Sequence, residues 1–259
     1  MSETDQQEPL CEIYGDYIVK SLIVKGSLSD VFVVENVNTF DKRVLKRVSL
    51  ADGNIDKIEK EISIMRALDG CPYTLSLIDA FIQDNYYCII TPYYPTGSIR
   101  DIMPFYAGRM IPENTVRCII GQVLLALQYM HGLGYCHRDI KPENILVANW
   151  NEVNPKVILC DFGFATQLTD GEFSKEYCGT LDYVAPEIYF HRPYDNSVDM
   201  WSLGVTMHVL LFQCFPLPQF EDDLPSLKHM LCRKTVNLTY FRDYEYFDAL
   251  NLFLELCSY

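Results

Sequence analysis

A chain of 259 residues, 49% of them hydrophobic, carries enough apolar side chain to bury a core, which excludes a low-complexity, disordered polymer. The formal net charge is −14, from 35 acidic and 21 basic residues with no basic run; this argues against a nucleic-acid partner and leaves plain solubility or a basic peptide partner as readings of the acid excess. A zinc or disulfide scaffold, a membrane span and a secretory leader are set aside as well, because ten cysteines are scattered without a CxxC pair, the apolar stretch 200–212 is too short for a bilayer, and the opening MSETDQQEPL is polar and acidic.

In chain order, residues 1–16 read as a loose leader. Runs at 17–24, 31–36 and 43–48 are rich in β-branched and aromatic residues, with turns at Gly26-Ser27 and 36–41. They predict an antiparallel meander. Ile55, Ile58, Ile62, Met65 and Leu68 then recur at helical spacing after the start signal Asp52-Gly53-Asn54. Two more strands are expected at 75–82 and 86–91. Pro92, Pro95 and Gly97 mark a linker, which divides a strand-rich part, 17–94, from a mainly helical part, 95–259. In the second part Val116, Ile119, Ile120, Val123, Leu124, Leu127 and Met130 line one face of a long helix ended by Gly132 and Gly134. Short strand-like runs at 145–148 and 156–160 precede a long polar loop to Glu187, and 197–212 predicts a buried helix. The fold class is α+β: a small antiparallel sheet with one helix, then a larger helical part, with a ligand cleft expected between them. Reduced thiols point to the cytosol or nucleus.

The chemistry-bearing residues fall in a fixed order. Arg43-Val44-Leu45-Lys46 and Glu61 come first. His137-Arg138-Asp139-Ile140-Lys141-Pro142-Glu143-Asn144, Asp161-Phe162-Gly163, Ala185-Pro186-Glu187 and Asp199-Met200-Trp201-Ser202-Leu203-Gly204 follow. Taken singly, Lys46 is a solvated strand lysine, Glu61 a surface charge and Asp161 a turn residue. Jointly, they resemble the V-A-I-K strand, the HRD…N catalytic loop, DFG, APE and the DxWSxG helix of the eukaryotic protein kinases, Ser/Thr type, over roughly 17–259. The Gly179-Thr180 to Glu187 segment and the KPEN run look closest to the calmodulin-dependent and checkpoint-type kinases, with the subfamily left open.

That resemblance implies a bilobal protein-kinase fold, with ATP and Mg2+ as cofactors and a protein carrying a Ser or Thr acceptor as substrate. Phosphoryl transfer needs positioning and neutralisation of charge more than covalent help. By resemblance, Lys46 grips the α- and β-phosphates and Glu61 holds Lys46. Asp161 and Asn144 hold magnesium. Asp139 accepts the acceptor hydroxyl's proton and orients its oxygen, Lys141 contacts the transferring phosphate, and Thr180 tethers Asp139 and Lys141. Aligning Gly97-Ser98-Ile99 with the family's G-x-L puts Thr91 at the gatekeeper, Pro92 next on the hinge, and Tyr94 where a hinge N–H is offered, a shifted register being the alternative. Val24, Gly26 and Val31 belong to the phosphate loop. Cys160 would line the cleft, as a reactive thiol or a buried inert one.

The segment from Asp161 to Glu187 resembles the activation segment. Relatives often carry a phosphothreonine where Glu176 stands, holding the arginine that matches Arg138. Glu176 is expected to give Arg138 a permanent, partial negative charge, an exposed loop glutamate being the alternative. Ser174, Thr169 and Tyr177 are candidate phosphosites. Phe164 after DFG resembles serine-preferring kinases, and Glu143 fits basic residues upstream of the acceptor. Two departures stand out. Only Gly26 remains of three phosphate-loop glycines, so ATP binding should weaken by one or two factors of ten, about 1.4 kcal/mol each. The chain also stops at Tyr259, where relatives continue into a helix whose arginine pairs with the APE glutamate, so either the C-terminal helix is truncated and Glu187 short of its partner, or another residue or chain supplies the cation. Two other readings compete: a pseudokinase scaffold, favoured by the poor glycine loop, and a small-molecule kinase on the same fold, disfavoured by the Gly179-Thr180 segment.

Overall fold

The computed structural model describes residues 12–26, 29–50, 53, 55–169 and 171–216, with Leu252 and Leu256. Residues 1–11 of the expected leader, Ser27 and Leu28 of the glycine loop, Asp52 and Asn54 of the helix start, and most of 250–259 lie outside them. The chain divides into two compact units: Met1–Asp69 with Leu75–Tyr93, and Gly70–Thr74 with Tyr94–Tyr259. Residues 70–74 group with the second unit because the Leu159 N–H donates to the Tyr73 carbonyl at 2.8 Å and Thr74 bridges Leu159.

Among its described residues, the first unit is one antiparallel sheet of six strands in the order β1-β2-β3-β4-β6-β5, with one helix. The strands are β1 Ile13–Tyr14, β2 Tyr17–Lys25, β3 Ser29–Asn36, β4 Lys42–Ser49, β5 Asp79–Gln83 and β6 Tyr86–Pro92. Alternation of in-facing and out-facing residues buries Phe32, Val34, Leu45, Cys88 and Ile90 with Tyr14 and Tyr17 in one cluster. Asp84 and Asn85, both at positive φ, form the two-residue turn that joins β5 to β6; Asp and Asn are the side chains that tolerate it. Helix α1, Ile55–Ala67, buries Ile58, Ile62 and Met65 at a spacing of four and three, with Asp56 and Arg66 placed to oppose its dipole.

Two expectations change here. The end of the supposed leader is strand: Ile13 pairs with Ile18 and Tyr14 with Tyr17, and Tyr14 is buried. A long-range cation holds it. The Arg47 guanidinium lies over the rings of Tyr14, Phe32 and Tyr86, bonds to the Tyr14 hydroxyl, and pairs with Asp30 at 2.9 Å and Glu12 at 3.0 Å. The expected strand at 75–82 begins only at Asp79, and β5 runs on to Gln83, because its ladder partners on β6 start at Ile90 and end at Tyr86.

In the second unit, α2 Ile99–Ile102 opens with a capping box: Ser98 bonds to Asp101 and the Asp101 carboxylate returns to the Ser98 N–H at 2.8 Å. A 3-10 turn, Met103–Tyr106, leads to α3, Glu113–Gly132. Its buried face comprises Val116, Ile119, Ile120, Val123, Ala126, Leu127 and Met130; Leu124, expected there, is half-buried. Strands β8 Ile145–Asn149 and β9 Lys156–Leu159 form a hairpin, and β7 Tyr135–Cys136 pairs with β10 Thr166–Gln167. The long polar loop expected to run to Glu187 thus contains the short strand β10, and the short α4, Pro186–Tyr189, begins at its end. Helix α5, Val198–Phe212, is buried at every position but Met200 and ends on Gln213 in the left-handed region. Trp201 lies on α5, and Trp150 meets the Tyr106 ring edge-on at 6.2 Å. Among the described residues, no helix is long and apolar enough to cross a membrane.

Candidate active site

In the first unit, pairing of β4 between β3 and β6 fixes Lys46 opposite Val31 and Ile89. Its ammonium donates to both oxygens of Glu61 on α1, at 2.7 and 2.9 Å, so a strand and a helix are tied by a two-point charged contact. Thr91 is buried opposite Val44, and Pro92 closes β6 opposite Arg43, a register position where a missing N–H is tolerated at the end of a strand. Val24 pairs with Val31 and is exposed. The Gly26 N–H donates to Ser29 O at 3.0 Å, and a β-carbon on Gly26 would stand only 2.5 Å from that oxygen, so the turn is built for glycine.

In the second unit, Asp199 at the start of α5 organises the HRD segment. One carboxylate oxygen accepts the His137 N–H at 2.8 Å, the other the Arg138 N–H at 2.7 Å, and His131 Nε2 lies 2.8 Å away. Burial alone would push this carboxyl up, but His131 and His137 hold it below the usual carboxylate range. The bonds to Asp199 hold Arg138 in a costly backbone form, φ +70°, and Asp161 is in another, φ +64°. Phe162 is buried edge-on against the His137 ring, and His137 Nε2 reaches Cys160 O at 3.1 Å, which secures the strained turn before Asp161. Cys160 is buried.

Asp139 sits at the centre of this cluster. Its Oδ1 accepts from Thr180 Oγ1 at 2.7 Å; its Oδ2 accepts from Lys141 Nζ at 2.7 Å and Asn144 Nδ2 at 2.9 Å. Lys141 also donates to Thr180 Oγ1 at 2.7 Å, and Asn144 Nδ2 to Asp139 O at 2.8 Å. Burial raises the Asp139 pKa, but the Lys141 and Thr180 hydrogen bonds outweigh it, so the carboxylate titrates below its ordinary value. The Asn144 amide nitrogen is committed to Asp139, which leaves its Oδ1 as an acceptor. Together with the exposed Asp161 carboxylate this is a pair of hard oxygen donors, a donor set that fits magnesium. Among the described residues no group of three or more His, Cys, Asp or Glu side chains could hold a metal ion.

The remaining expected positions are as follows. Tyr94 lies in the second unit, half-buried, with burial raising its phenol pKa and its carbonyl accepting the Gly97 N–H at 3.0 Å. Glu176 does reach Arg138: the carboxylate is 2.9 Å from Nη1. Arg138 also donates from Nε to Phe164 O at 2.7 Å and from Nη1 to Tyr194 Oη at 2.9 Å. Glu143 is exposed, 3.7 Å from Arg100. Glu187 is half-buried on α4. Reading the motifs missed two parts of this arrangement. Asp199 was named only as part of its motif, and Tyr194 not at all; its partners are 56 and 18 residues away, beyond any local pattern.

The protein kinase domain profile matches residues 17–255. A probable myosin light chain kinase of Dictyostelium discoideum is 34% identical over 84% of the chain and 54% of its own length. Human serine/threonine-protein kinase H1 is 33% identical over 82% of the chain and 49% of its own. Serine/threonine-protein kinase kin-29 of Caenorhabditis elegans is 29% identical over 95% and 29%. The chain thus spans about half or less of the length of these curated relatives.

Proposed function

The chain belongs to the protein kinase domain family, and from that membership we propose that it is an ATP-dependent protein serine/threonine kinase. The observation that carries the reading is the buried Asp139 carboxylate, hydrogen-bonded to Lys141, Asn144 and Thr180. Asp139 is a weak base here, so its main work is to hold and orient the acceptor hydroxyl in line, taking the proton late as the bond to phosphorus forms. Lys141, found at this place in Ser/Thr kinases, contacts the transferring phosphate, and Thr180 keeps it beside Asp139. Lys46, fixed by Glu61, binds the α- and β-phosphates. Thr91, Pro92 and Tyr94 receive the adenine, and Val24, Gly26 and Val31 cover the phosphates, less tightly than three glycines would. Asn144 and Asp161 would hold magnesium, which when bound neutralises charge on the phosphate oxygens.

The substrate reading is a protein with a Ser or Thr acceptor and basic residues upstream, supported by the charge of −14. Cytosol or nucleus is the proposed compartment, on the scattered cysteines. Glu176 supplies Arg138 with part of the charge that a phosphate would give. The test is transfer of label from ATP, with magnesium, to a panel of basic Ser and Thr peptides. Asp139→Asn should lower turnover by at least about a hundredfold while ATP still raises the melting temperature. Label transfer that survives the substitution would remove Asp139 from its role. Absence of transfer in the wild type, with ATP binding kept, would favour a scaffold.

A further inference from the structure

Arg138 is a buried cation: only 2% of its side chain is exposed, so its N–H groups need partners that do not depend on solvent. Glu176 is a poor one, since 64% of its side chain faces water and an ion pair with an exposed partner is weakened by salt. Tyr194 is different. Its ring is buried, its Oη accepts from Arg138 Nη1 at 2.9 Å, and the same hydroxyl donates to Glu176 O at 2.7 Å. The Tyr194 backbone exchanges two hydrogen bonds with Ser174, both 2.9 Å, and Cys178 Sγ lies 3.7 Å from Oη. One residue therefore fastens the segment at 174, 176 and 178.

Immediately beyond comes Gly179, with φ +92° and so close to the Arg138 carbonyl that a β-carbon would be 2.5 Å from it. Thr180, the next residue, bonds to Asp139. The segment fastened by Tyr194 is thus continuous with the residue that sets the Asp139 carboxylate. We propose that Tyr194 is a positioning residue for phosphoryl transfer: its buried hydroxyl locks Arg138 to residues 174–178 and so holds Thr180 on Asp139 without modification of the segment. This rests on the kinase reading above, and it divides the labour on Arg138, with Tyr194 supplying the salt-resistant hold and Glu176 a smaller, screened one.

The test is Tyr194→Phe, which keeps the ring and the Ser174 pairing and removes only the hydroxyl. Turnover should fall about tenfold, as for loss of a hydrogen bond to a charged group, with KM for ATP unchanged. The remaining turnover, read at saturating peptide, should decline further between about 0.05 and 0.5 M salt, where that of the wild type stays nearly flat, because Arg138 then depends on Glu176. Hydrogen exchange at 174–180 should quicken in the variant, and this reads the hold even in a chain that transfers no phosphate. Faster exchange in the variant of an inactive wild type would keep the lock and remove the kinase reading; unchanged exchange, or wild-type turnover with a wild-type salt profile, would overturn the lock itself. Should the variant not fold, Glu176→Gln decides. With the phenol in place it should keep about a third or more of wild-type turnover, whereas a loss beyond about tenfold would put the hold in the carboxylate and overturn the proposal.

Discussion

At the scale of single residues, the site depends on backbone that ordinary side chains resist. Gly179 is the clearest case. Any β-carbon there would meet the Arg138 carbonyl at 2.5 Å and Val184 Cγ1 at 3.0 Å, and the positive φ adds strain of its own. Gly179→Ala should cost roughly 1–3 kcal/mol in chemical denaturation and at least about tenfold in turnover, since the segment must shift where Thr180 meets Asp139. ATP affinity, which the proposed function assigns to Lys46 and Glu61, should hold. Equal losses in both would mean that the fold, not the Thr180 contact, had failed. Lys46, Asp139, Lys141, Asn144 and Asp161 were expected from short motifs of fixed spacing, and Glu61 from its place on the first helix. Tyr194 was not, because a hydroxyl whose role comes from packing leaves no spacing behind.

At the scale of elements, α5 carries a pH liability. His208 is buried within it, with Nδ1 bonded to Cys214 O at 2.9 Å. Burial lowers its pKa from 6.5 to about 4, and the bond to Cys214 only partly offsets this. The unfolded chain therefore binds a proton that the folded chain refuses between those two values, and stability must rise with pH across the window. The slope is at most about 1.4 kcal/mol per unit, roughly 3 kcal/mol in all, fully present above pH 6.5 and gone near pH 4. His208→Asn, which can keep a donor toward Cys214, should flatten denaturation midpoints over that range; a variant as pH-sensitive as the wild type would place the effect elsewhere. The sequence announced α5 as buried, as well as α1, α3 and the central strands, since apolar periodicity is a local signal. It did not announce β1, because the partner that recruits Tyr14 is Arg47, 33 residues on, nor β7 and β10, whose two-residue pairing is below the length at which alternation can be seen.

For the whole molecule, charge is the property with consequences. A net charge of −14 should draw basic peptides in faster than it holds them. KM for an arginine-rich Ser peptide should then rise severalfold between about 0.05 and 0.3 M salt, while that of a neutral peptide should not; parallel profiles would detach peptide choice from the acid excess. The two compact units differ in another way. The chain has 2 tryptophans, and Trp150 and Trp201 both belong to the second unit. Emission excited selectively at tryptophan is therefore a report on that unit alone on heating, since the strand-rich unit holds tyrosines but no tryptophan. A melting curve followed by fluorescence will agree with one followed by far-ultraviolet circular dichroism only if both units lose structure together. A shift on adding nucleotide that appears in the dichroism and not in the emission would place the gain in stability in the unit of Lys46.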